Sequence, residues 1–127
     1  MKRAFAILLV AFTAGSALAA GRPALNAYFQ SNLTDTSYQK RTFDRVAKAW
    51  KTPAASQTPE VGKKTVVQSV IAKDGKLVSA VVSLSSGKKG WDTAALAAVR
   101  TAAPFDPLPA NYGALTIEVH FHVSVVP

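Results

Sequence analysis

The sequence predicts an α+β domain: a three-stranded antiparallel sheet with two helices packed on one face, in the order α-β-β-α-β with strand order 2-1-3. Three observations carry this. The chain closes on near-perfect alternation, with Leu115, Ile117, Val119, Phe121, Val123 and Val125 on one face and Thr116, Glu118, His120, His122 and Ser124 on the other. A period of two is that of a half-buried strand. Upstream, two Val-rich runs, 64–72 and 77–85, are joined by Lys73-Asp74-Gly75-Lys76. Asp-Gly between such runs signals a hairpin, because these residues tolerate the positive φ of a tight turn. Finally, Phe43, Val46, Ala47 and Trp50 recur at three- and four-residue steps, the stripe of an amphipathic helix, and an Ala-rich stretch before Pro104 reads as a second helix.

Taken in order, Lys2 and Arg3 precede an apolar run from Phe5 to about Ala14, and Ala17-Leu18-Ala19 offers the small residues a signal peptidase reads. Residues 1–19 therefore read as a signal peptide cleaved after Ala19, which places the protein in the periplasm. The alternative is an uncleaved anchor facing the periplasm from the inner membrane. A spanning helix needs about 20 apolar residues, and this run is shorter and ends in Gly15 and Ser16, so no stable transmembrane anchor is expected. Residues 20–34 lack clear periodicity and read as a loose lead-in, with Leu25, Tyr28, Phe29 and Leu33 in a short amphipathic turn; the folded domain is expected over 35–127.

The first helix starts near Asp35 or Thr36, either of which can accept from a free amide of the first turn. Phe43, Val46, Ala47 and Trp50 form its stripe, and Pro53 ends it. A linker to Gly62 leads to the hairpin. The second helix is expected over 93–102, capped by Asp92, with Trp91 and Leu96 spaced as a hydrophobic staple. Pro104 stops it. A right-handed crossover through this helix returns the closing strand to the sheet. If the first strand is central, all neighbours are antiparallel and the closing strand lies at an edge.

The 127 residues fit one domain, and 49% hydrophobic content is ordinary for a globular chain. Without cysteine, neither a disulfide framework nor a lipid-modified N-terminal cysteine can form. Net charge is +8, or +6 without Lys2 and Arg3, and arises from short groups such as Lys40-Arg41, Lys63-Lys64 and Lys88-Lys89. That charge could favour anionic polymers, lipid head groups or acidic segments. No nucleic-acid recognition motif is present. Neither a Gly-x-Ser-x-Gly elbow nor a placed acid pair appears, so an enzyme is not expected, and no cofactor is called for.

The run of helix, Gly62, strand, Lys73-Asp74-Gly75, strand, Ser85-Ser86-Gly87, Trp91-Asp92 with Ala94-Ala95-Leu96, Pro104-Phe105, Leu108-Pro109 and final strand resembles the C-terminal domain of TonB and TolA proteins. The likeness covers about Tyr38 to Val125. It implies a periplasmic domain of an energy-transducing or envelope-spanning protein that binds its partners largely by adding a strand to its sheet. Such pairing draws on backbone hydrogen bonds and needs an exposed edge. Family members carry a membrane helix and a long spacer. Here about fifteen residues, roughly 50 Å when extended, separate leader and first helix. A free-standing adaptor is the expectation.

The expected partner-binding edge is Leu115, Thr116, Ile117, Glu118, Val119, His120, Phe121, His122 and Val123, receiving a segment of an outer- or inner-membrane protein or a second copy of the chain. Glu118, His120 and His122 project to one side, and a His-x-His pair on a strand is a candidate zinc or copper ligand set, set against a solvated sheet face. Lys88 and Lys89, between a strand and a helix start, are a candidate anion site, set against an ordinary turn.

Overall fold

Period-two apolar spacing builds more of this molecule than the closing strand alone. A computed structural model describes residues 5–11, 21–30 and 32–127; the expected cleavage point after Ala19 lies outside them. Its elements are β1 (Phe5–Ala11), β2 (Arg22–Gln30), α1 (Thr36–Ala49), a 3-10 turn (Ala55–Gln57), β3 (Lys64–Ala72), β4 (Leu77–Leu84), α2 (Lys89–Ala102) and β5 (Thr116–Val126). They form an antiparallel sheet in the order β1-β2-β5-β3-β4, with both helices packed against it.

This corrects the three-stranded sheet and its order. From residue 21 onward the sheet has four strands, and β5 lies inside it between β2 and β3. The expected loose lead-in is β2. Leu25, Ala27 and Phe29 alternate through Arg22–Gln30 and are each 0% exposed, so this segment extends the apolar floor beside β5. A segment that buries three such side chains belongs to the core.

The helix side of the sheet also presents Val67 and Ile71 from β3, Ala80 from β4, and Ile117, Val119, Phe121, Val123 and Val125 from β5. Against this floor α1 lays Tyr38, Phe43 and Val46, and α2 lays Trp91, Ala95, Ala98 and Val99. Asp35 caps α1 by accepting from the Tyr38 amide at 2.9 Å. The Trp50 amide closes its last turn on the carbonyls of Val46 and Ala47.

Helix α2 begins at Lys89, four residues before the expected start, with Lys88 as a cap that makes no side-chain bond. Tertiary contacts supply what the local sequence lacks. Gln57 Oε1 accepts from the Gly90 amide at 2.8 Å. Asp92 lies inside the first turn and accepts from Thr65 Oγ1 at 2.5 Å, the Ser86 amide at 2.9 Å, Ser86 Oγ at 2.8 Å and Ser85 Oγ. Trp91 is therefore helical and does not precede the cap as a staple would. Its indole Nε1 donates to the Val123 carbonyl at 3.1 Å, and its ring meets Trp50 edge-on at 4.9 Å.

After α2, Phe105 and Leu108 close over the core at 3% and 5% exposure. Their backbone is tied to the hairpin turn: the Phe105 amide donates to the Gly75 carbonyl at 2.8 Å and the Leu108 amide to the Lys73 carbonyl at 2.9 Å. Gly75 adopts φ +93°, and a Cβ there would sit 2.0 Å from the Phe105 carbonyl oxygen. The turn needs glycine both for its dihedral and for this approach.

Candidate partner-binding edge

Strand β5 has two neighbours. β3 pairs with it from Lys64↔Ser124 to Ala72↔Thr116, and β2 from Arg22↔Val126 to Phe29↔Val119. Val119, His120, Phe121, His122 and Val123, expected at a free edge, are thus flanked on both sides. Leu115, Thr116, Ile117 and Glu118 run past the end of that β2 pairing. Gln30 then extends the ladder by a side chain, its Oε1 accepting from the Glu118 amide at 2.8 Å.

The polar face of β5 is organised within itself. Glu118 Oε2 lies 2.6 Å from His120 Nε2 and accepts from Gln68 Nε2 at 3.3 Å. His122 instead packs its ring 4.4 Å from that of Tyr28. Burial, and then the neighbouring charges of Lys64 and His120, push the His122 pKa down to about 4. Among the described residues no group of three or more His, Cys, Asp or Glu side chains is arranged to hold a metal ion. The two histidines share a face, but one turns to Glu118 and the other to Tyr28.

At the start of α2, Lys88 lines a 320 Å³ hollow with Pro59, Glu60, Lys63, Ser86 and Gly87. The helix N-terminus already has an anion, the carboxylate of Asp92. Burial opposes its charge, but hydrogen bonds from Ser85, Thr65 and Ser86 outweigh burial and hold the carboxyl below the usual aspartate range. The amides of Gly87 and Lys88 are likewise taken, by Ser85 Oγ at 3.0 Å and Ser86 Oγ at 3.2 Å.

The sheet offers its edges elsewhere. One is β4. The other lies beyond β5, where β2 pairs by its outer side with β1 over Ala24–Gln30. β2 itself carries Pro23, a residue without an N–H that sheets confine largely to edge strands. The sequence reading missed this strand, although Leu25, Ala27 and Phe29 carry its period; interleaved Pro23, Ala24 and Asn26 weaken the β signal.

A family model described as TonB C terminal matches residues 35–123. The chain belongs to the TonB C-terminal family. No curated protein and no solved structure matches it. The match opens at the Asp35 cap and closes within β5, so the TonB C-terminal core is α1, β3, β4, α2 and β5, and β2 lies outside it. TonB C-terminal domains are periplasmic, non-enzymatic interaction domains associated with envelope transport. No helix among the described residues is long and apolar enough to cross a membrane.

Proposed function

We propose that this protein is a periplasmic binding module that receives an extended segment of an envelope protein as an added strand along the outer edge of β2. The supporting observation is that β2 occupies the side of β5 away from β3, while the outward backbone of Ala24–Gln30 accepts a further antiparallel strand, residues 5–11. Those residues fall within the proposed leader. Cleavage after Ala19 removes them and leaves the alternate residues of Ala24–Gln30 that face away from β5 with unpaired backbone groups, the template on which strand addition draws. Within this reading, Leu115 to Val123 carry and position β2, which lies between them and the incoming strand.

In-cell photo-crosslinking from Asn26, Tyr28 and Gln30, with Lys51 as a control beyond α1, tests this. A discrete envelope protein captured from the β2 positions and not from Lys51 is the expected result. Capture from Lys51 alone, or none from β2 while the protein is folded and exported, overturns it.

A further inference from the structure

The opposite edge of the sheet carries no charged or proline safeguard, and its register shifts fall only toward its two ends. β4 reads Leu77-Val78-Ser79-Ala80-Val81-Val82-Ser83-Leu84, with neither a charge nor a proline along its length. Soluble proteins ordinarily blunt an exposed edge with lysine, proline or a covering element. Here Val78 is 60%, Val81 55% and Leu84 49% exposed. They are three of the five large hydrophobic side chains exposed among the described residues.

The order of these side chains says what fits. Two antiparallel copies related by a two-fold axis normal to the sheet must place one residue opposite itself. Centred on Val81, the pairing sets Val81 against Val81 and Ala80 against Val82 in the regular stretch, and toward the shifted ends it brings Ser79 near Ser83 and Val78 near Leu84. Apolar meets apolar, hydroxyl meets hydroxyl, and no charge is buried. We infer that β4 is a self-recognition edge, through which two copies of this chain join their sheets into one.

The contact is small and therefore weak. Register shifts against β3 opposite Ser83 and Val78 confine the regular stretch to Ser79–Val82. One strand pair falls well short of the roughly 1,600 Å² buried in a typical stable complex. The ends of β4 are basic, with Lys73 and Lys76 at one and Lys88 and Lys89 at the other. Antiparallel pairing brings these ends together, so added salt strengthens the dimer by screening them. The β2 edges then lie at the two far ends of the joined sheet. The inference stands apart from what, if anything, binds β2.

The chain has no cysteine, which makes the test clean. In the otherwise unchanged full chain, Val81→Cys is oxidised in air beside Val61→Cys, an exposed control at 47%. A disulfide-linked dimer from Val81→Cys, at least several-fold more abundant than from Val61→Cys, is expected. Sedimentation of the unsubstituted chain is expected to show a reversible monomer–dimer equilibrium that salt promotes and Val81→Lys abolishes, with the circular dichroism unchanged. A monomer at every concentration, equal crosslinking at both positions, or a dimer that survives Val81→Lys overturns the inference.

Discussion

Gln57 carries its side-chain carbonyl across 33 residues to the backbone amide of Gly90, 2.8 Å away. This bond does for α2 what a capping side chain at Lys88 would otherwise do. Gln57→Ala is expected to destabilise the fold by about 1 kcal/mol, the usual worth of a helix cap. Lys88→Ala is expected to cost less, since Lys88 makes no capping bond. Urea unfolding of both variants checks the order, which reverses if the cap is local after all.

Gly75, Gly62 and Gly87 all have φ near +93°, but only Gly75 faces a backbone atom where its Cβ would be. Alanine at Gly62 or Gly87 meets open space and costs about 1 kcal/mol for the left-handed dihedral. Gly75→Ala must in addition push the Phe105 carbonyl away. It is expected to be the worst of the three by at least about 1–2 kcal/mol, measured by thermal melting side by side.

His122 makes the fold acid-sensitive. Folding lowers its pKa from 6.5 to about 4, so between these values the unfolded chain binds the proton that the folded chain refuses. This contribution is complete above pH 6.5 and is lost as the pH falls toward 4. Its ceiling is about 3 kcal/mol, reduced to the extent that water reaches the ring. Denaturant titrations from pH 7 to 4.5 should show the decline, and His122→Gln should flatten it. The same slope in the variant would assign the effect to other groups.

Asp92 gathers hydrogen bonds from Thr65, Ser85 and Ser86, and Thr65 is wholly buried. Asp92→Ala strands that hydroxyl and the Ser86 amide together, so a loss of about 2–4 kcal/mol is expected. Asp92→Asn keeps an acceptor and is expected to lose less. The substitution also removes the anion from the start of α2. Added phosphate should then raise the melting temperature of Asp92→Ala more than that of the unsubstituted chain.

Much of this was legible in the sequence. Asp74-Gly75 marked the hairpin, and Phe43, Val46 and Trp50 marked α1 by spacing alone. Alternation from Leu115 onward gave β5 its length and faces. The position of β5 was not legible, because alternation fixes which face is buried and says nothing about how many neighbours a strand has. That depended on β2, whose Leu25, Ala27 and Phe29 kept the period while Pro23 and Asn26 diluted its propensity. The start of α2 failed for a related reason: its cap lies at Gln57, far outside any local window. As to the candidate site, the closing strand was legible but its second flank was not, since another part of the chain pairs with it.

The central place of β5 also has a temporal side. Every other strand precedes it in the chain, and β2 joins the hairpin only through it. Until Thr116–Val126 is in place, Leu25, Ala27 and Phe29 lack their flanking strand on the β5 side, and β3 has an open flank. Completion of the sheet thereby waits on this one strand.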